Sequence, residues 1–179
     1  MKRRSVLAAV GGSIAAVGGG ALYFTSPSNV RNRKARISYE YLNDYVPQFL
    51  AVCSPSEEGY VGVLDMFVED AITHFEENGF QEFYFSYLQA YERNGEIVYE
   101  QGNLIRLSED GDKQLHVRLF PRGDRTEIRA HWEPSAKHNP VEHIDGDDVN
   151  HSKGESMIRE EFDIIDKPFS GDLSMDDRC

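Results

Sequence analysis

Two groups of residues have the types and spacing to do chemistry. The first comes from a hairpin. Residues 114–120 (QLHVRLF) and 125–133 (RTEIRAHWE) flank Gly123-Asp124, a pair suited to a tight reversal. Registering the strands about that turn sets Leu119 against Ile128, Val117 against Ala130 and Leu115 against Trp132, all on one face. The other face then holds Arg118 against Arg129 and His116 against His131. Placing Leu107 of the preceding strand opposite Leu115 brings Arg106 beside His116. Like charges directly across a ladder repel, so something must offset them. An Asn94-Gly95 turn puts Phe83, Phe85, Tyr87 and Tyr91 on this same face. Arginine pairs bidentately with carboxylate or phosphate, and aromatic rings supply apolar contact. The expectation is a contact surface of Arg106, His116, Arg118, Arg129 and His131 with Phe85 and Tyr87, suited to a protein partner or a small anionic ligand. The structural alternative is a helix packed over the face, either 37–52 or 153–165, the latter bringing Glu155, Glu160 and Glu161.

The second group is the segment from His138 to His151. His138, His143 and His151, with Asp145 and Asp147, could hold a divalent ion, zinc or another transition metal suiting the imidazoles and calcium the aspartates. A metal-dependent hydrolase is the function that reading implies. Its spacing matches neither H-E-x-x-H nor a complete EF-hand, and a solvated loop explains the same residues. Asp70 and His74 lie one helical turn apart, which a solvent-facing helix surface also explains. The chain has no G-x-S-x-G and no phosphate-cradling glycine loop. The favoured expectation is therefore a non-catalytic module without a cofactor.

These groups need elements to position them. Ile37, Tyr41, Tyr45, Phe49 and Val52 recur at helical spacing, with Pro47 ending or kinking the run. Ser54-Pro55-Ser56-Glu57 reads as a helix start, and Tyr60, Leu64, Phe67, Val68, Ala71 and Phe75 as the apolar face of a helix over 55–78 that ends at Asn78-Gly79. Strands follow over 80–92 and within 96–107, with Gly102 a candidate bulge, and then the registered hairpin. A last helix capped by Ser152 and Glu155 carries Met157, Ile158, Phe162 and Ile165. The order predicts an α+β fold: a two-layer sandwich with a four-stranded antiparallel sheet and flanking helices, preceded by an N-terminal export or transmembrane segment. The expected boundaries are 1–24 for that segment, 25–36 for a linker, 37–167 for the acidic domain and 168–179 for a flexible tail.

Charge divides the chain. All 31 Asp and Glu follow position 36, whereas seven of the 19 Lys and Arg lie at or before it. So acidic a body repels phosphate backbones and excludes nucleic acid as an expected partner. Arg outnumbers Lys, 13 to 6. This acid-rich, lysine-poor composition resembles that of salt-adapted haloarchaeal proteins, whose carboxylate repulsion is screened within a few ångströms in strong salt. The two cysteines, Cys53 and Cys179, form no metal-binding pair in sequence, and either a distant disulfide or two free thiols fits their spacing.

Arg3-Arg4 followed by Ser5-Val6-Leu7 resembles a twin-arginine export signal of haloarchaeal type. The stretch behind it is only mildly apolar, diluted by Gly11, Gly12, Gly18, Gly19 and Gly20, and carries no acidic residue. Ser5 to Phe24 would span ~30 Å as a helix, about the hydrocarbon thickness of a bilayer. The resemblance covers about the first thirty residues and implies the extracytoplasmic side of the cell membrane. The chain would stay tethered there if the segment is kept and be secreted if it is cleaved.

Overall fold

The computed structural model describes residues 52–55, 57–83, 87–146 and 148–171. The proposed export segment, the linker and the 37–52 stripe as far as residue 51 lie outside the described residues; Val52, the last of that stripe, is strand rather than helix. Among the described residues no helix is long and apolar enough to cross a membrane.

The protein is α+β. Its strands are β1 Val52–Cys53, β2 Tyr60–Leu64, β3 Gln81–Glu82, β4 Leu88–Arg93, β5 Glu96–Tyr99, β6 Gly102–Leu107, β7 Lys113–Arg122 and β8 Arg125–Pro134. Its helices are α1 Val68–Glu77, α2 Pro140–Asp145 and α3 His151–Glu161. The main sheet has five strands rather than four, in the order β2-β8-β7-β6-β3, all antiparallel. A second sheet has the order β1-β4-β5, with β1 parallel to β4.

The β7–β8 register is the one read from the turn. Leu119 faces Ile128, Val117 faces Ala130, Leu115 faces Trp132, Arg118 faces Arg129 and His116 faces His131. The Asn94-Gly95 reversal also forms, both residues at positive φ (54° and 81°), as a tight hairpin turn requires.

Several expected elements differ. Residues 60–64 are strand, not helix. Val61 and Val63 are β-branched, and Gly62 sits at φ 145°, which a helix cannot accommodate. The helix begins only at Val68 and ends, as expected, at Asn78 and Gly79. The 80–92 run splits between the two sheets, as β3 and β4. Gly102 is no bulge; it pairs with Leu119, and a Cβ there would fall 2.9 Å from a Leu119 methyl. Helix α3 is capped by Asn150, whose Oδ1 accepts from the Lys153 amide at 2.8 Å. Ile165 lies beyond that helix and bridges to Val63. Of the expected tail, Phe169 packs on Tyr60 and Tyr91.

Helices α1 and α3 cover one face of the main sheet. Val68, Ala71 and Phe75 from α1, and Ile158 with Phe162 from the end of α3, bury against Leu104, Leu115, Val117, Leu119, Ile128 and Ala130. Phe75 stacks on Phe162 at 4.3 Å and meets Phe80 edge-on at 5.1 Å. The other face of β7 and β8 is polar, and the second sheet lies over it. Tyr91 and Arg93 of β4 both reach Glu127 of β8, and Glu100, just past β5, reaches Arg118 of β7.

Candidate functional site

Strand alternation builds the polar layer. Along β7 and β8 four cross-strand pairs point away from the helices: Gln114 with Glu133, His116 with His131, Arg118 with Arg129, and Phe120 with Glu127. Gln114, His116, Arg118, Glu127, Arg129 and Glu133 are all buried. The layer divides into an arginine end and a histidine end.

At the arginine end the repulsion of Arg118 and Arg129 is offset inside the protein. Arg118 donates to Glu100 and, at 3.0 Å, to the Tyr87 carbonyl, and its guanidinium lies 4.7 Å from the Tyr87 ring centre. Arg129 pairs with Glu127 at 3.4 Å and lies 4.6 Å from the Phe169 ring centre. Glu127 also accepts from Tyr91 at 2.9 Å and Arg93 at 2.8 Å. Arg118 and Arg129 are each 3% exposed. They therefore bind groups of their own chain and do not form an open contact surface. What covers them is the β4–β5 hairpin. Helix α3, one of the two helices expected there, packs on the opposite, apolar face.

Arg106 is not on this layer. Ile105 faces His116, and Arg106 faces Leu115, one residue out of the expected register. Arg106 instead lies at the helix-covered side, 4.5 Å from the Phe80 ring centre and in a bidentate pair with Glu161 at 2.6 Å. Phe85 lies outside the described residues. Tyr87 and Phe83 do join the layer, Phe83 with its ring 6.0 Å from His116.

The histidine end centres on Glu133. Its Oε1 accepts from Gln114 Nε2 at 2.7 Å and lies 2.8 Å from His116 Nδ1. Its Oε2 lies 3.0 Å from His131 Nε2 and 3.4 Å from His143 Nδ1. His116 Nε2 stands 2.8 Å from Asn103 Oδ1. The His131 and His151 rings are 5.6 Å apart. Among the described residues, His116, His131 and Glu133 are the one group whose metal-ligating atoms all fall within 4.8 Å of each other.

Among the described residues, the 138–151 segment does not gather into a metal site of its own. It holds helix α2 and the first residue of α3. Only His143 and His151 turn toward the Glu133 cluster. His138 packs over Gly111, Asp145 is exposed at the end of α2, and Asp147 lies outside the described residues. His74 packs edge-on against Phe162, and Asp70 is exposed.

Burial pushes the His116 imidazole down to about 3, against the attraction of Glu133. Burial alone would raise the Glu133 carboxyl, but the charge and hydrogen bonds of His116 and His131 outweigh it and hold that group below the usual carboxylate range. Both folded-state values thus lie below their unfolded ones. The unfolded chain takes up protons first, and the stability contributed is present above pH ~6.5 and lost as pH falls toward ~3. In urea titrations of metal-free protein at fixed salt, the midpoint should therefore fall over this range. His116→Gln should flatten the slope, each unit of displaced pKa being worth about 1.4 kcal/mol. An equal slope in the variant would mean that His116 is not buried neutral.

Glu127 and Glu133 were readable on this face from the alternation 127, 129, 131, 133 alone, and reasoning from like charges passed over them. No protein-family model matches the chain, and no curated protein or solved structure matches it either, so the reading of the site rests on its own geometry.

Proposed function

We propose that the chain is an exported accessory or binding module that performs no catalysis and is held at the outer face of the cell membrane by its first two dozen residues. The observation that carries this reading is the Arg3-Arg4 pair ahead of an acid-free, glycine-diluted stretch of membrane-spanning length. Cys53 supports it. This residue is disulfide-bonded. Disulfides persist in oxidising, extracytoplasmic settings. The surface supports it as well: Glu57, Glu58, Glu69, Asp70, Glu76 and Glu77 are all exposed, in keeping with a halophilic type of acidic body kept soluble outside the cell. The non-catalytic part of the reading draws on the pairing of Arg118 with Glu100, which joins the two sheets, and of Arg129 with Glu127 of its own strand, both of which use those charges inside the protein.

The test uses the full-length chain with Arg3→Lys and Arg4→Lys combined. Net charge is kept while the twin-arginine feature is lost. The variant should accumulate inside the cell, with its share outside the membrane reduced at least about tenfold, a change of about 1.4 kcal/mol if expressed as an equilibrium. Unchanged distribution between fractions would overturn export by this route.

A further inference from the structure

We propose that His116, His131 and Glu133 form a binding site for a first-row transition-metal dication such as Zn²⁺. The inference goes beyond export and holds in either compartment.

Three features converge on it. The first is the donor set. Two imidazole nitrogens and a carboxylate suit zinc, cobalt, nickel, copper, iron or manganese, whereas calcium and magnesium favour all-oxygen shells. The second is geometry. All three donors stand on the paired strands β7 and β8, His116 directly across from His131 and Glu133 two residues further along. His116 Nδ1 is 2.8 Å from Glu133 Oε1, and His131 Nε2 is 3.0 Å from Glu133 Oε2. One donor atom from each residue lies within 4.8 Å of the other two, and tetrahedral ligation at ~2.1 Å sets donors about 3.4 Å apart, so side-chain shifts of at most about 1.5 Å close the set on one ion. Strand-borne ligands hold such a spacing better than loops.

The third feature is the hydrogen bonding around His116. Its two nitrogens face two acceptors, Glu133 Oε1 and Asn103 Oδ1. A neutral ring has one N–H and cannot serve both, so the pair of contacts calls for a second cation at Nδ1, a proton or a metal ion. A metal on Nδ1 removes the conflict. The remaining Nε2–H donates to Asn103 Oδ1, the outer contact that fixes the tautomer of a ligating histidine. Gln114 Nε2, donating to Glu133 Oε1 at 2.7 Å, orients the carboxylate in the same manner.

Charge follows the same division. Glu100 and Glu127 are answered by arginines, but the ion-pair partners of Glu133 among the described residues are three imidazoles, those of His116, His131 and His143. A dication would give that buried carboxylate a fixed positive partner. His131 and His143, with side chains 17% and 18% exposed, mark the side open to an entering ion. His143 Nδ1–H donates to the Pro134 carbonyl at 3.1 Å, so His143 borders the site without being one of the three ligands.

Purified full-length protein, stripped with chelator, should be titrated with Zn²⁺ alone and with Co²⁺ alone, in excess Mg²⁺ to occupy surface carboxylates. One ion should be retained per chain after gel filtration, and Co²⁺ should give visible absorption of low-coordinate nitrogen and oxygen ligation. His131→Gln, partly exposed and therefore tolerant of change, and Glu133→Gln should each weaken binding at least about tenfold. His138→Gln should leave it unchanged. Circular dichroism checks the fold of each variant, and should Glu133→Gln fail to fold, His131→Gln decides. Substoichiometric metal on the unaltered chain, or undiminished affinity in His131→Gln, would overturn the site. Loss of binding in His138→Gln with His131→Gln unaffected would overturn it equally, by moving the ion to the 138–151 segment.

Discussion

Replacing Arg118 by Ala is expected to cost about 3–5 kcal/mol of folding stability, the usual consequence of stripping one partner from a buried ion pair. Glu100, its partner, has no exposed side-chain surface, and Arg118 itself is 3% exposed. Removing the guanidinium strands a carboxylate between two sheets and takes a donor from the Tyr87 carbonyl. Against a total stability of 5–15 kcal/mol, typical of domains, the loss approaches global unfolding. Replacing both partners by apolar residues of similar volume, Arg118→Met with Glu100→Leu, should recover most of it, because no uncompensated charge remains. Arg125→Ala supplies the contrast. Its pair with Asp65 at 2.7 Å is 32% and 66% exposed, and solvent screening should leave its loss with little effect on the urea midpoint. Urea denaturation measures all three. An Arg118→Ala variant as stable as the parent would place that side chain at a solvent-facing contact surface, the first expectation from its sequence.

Gly154→Ala is the second large effect, and its sign runs against helix propensity. Gly154 lies within α3, where alanine is intrinsically favoured by about 1 kcal/mol. A Cβ at this position, however, would stand 2.5 Å from His131 Cα and 2.7 Å from that residue's carbonyl carbon and amide nitrogen. These are backbone atoms in the middle of β8, and they cannot rotate away. The helix must lift from the sheet, with an expected loss of about 3 kcal/mol, at the upper end of overpacking costs. Lifting α3 also loosens the seat of His131. The variant should melt earlier and retain less metal. A stabilised Gly154→Ala protein would show that α3 does not sit directly on β8.

What was legible in the sequence was local. The Gly123-Asp124 and Asn94-Gly95 turns each impose a register, and strict alternation carried it along β7 and β8 without error. The β6 register slipped by one because the Ser108–Asp112 connection offers no comparable two-residue constraint, and a slip of one turns every side chain to the other face. Arg106 was misplaced for that reason alone. Strand β2 was read as helix because Tyr60, Leu64, Val68 and Phe75 happen to keep helical spacing across a strand and the start of the next helix. Gly62 held the contrary signal, and a lone glycine is weak evidence until its φ is known. Glu100 could not have been assigned to Arg118 from pattern at all. It belongs to the covering hairpin, whose docking depends on contacts between distant parts of the chain.

The proposed export would put the acidic body outside the membrane, and shaving intact cells with an impermeant protease tests that proposal most directly. Detection should use an antibody against the body and a cytosolic protein as control. The expected result is loss of the body from the membrane pellet while the cytosolic control survives. A full-length, protease-protected chain in the soluble cytosolic fraction would contradict it.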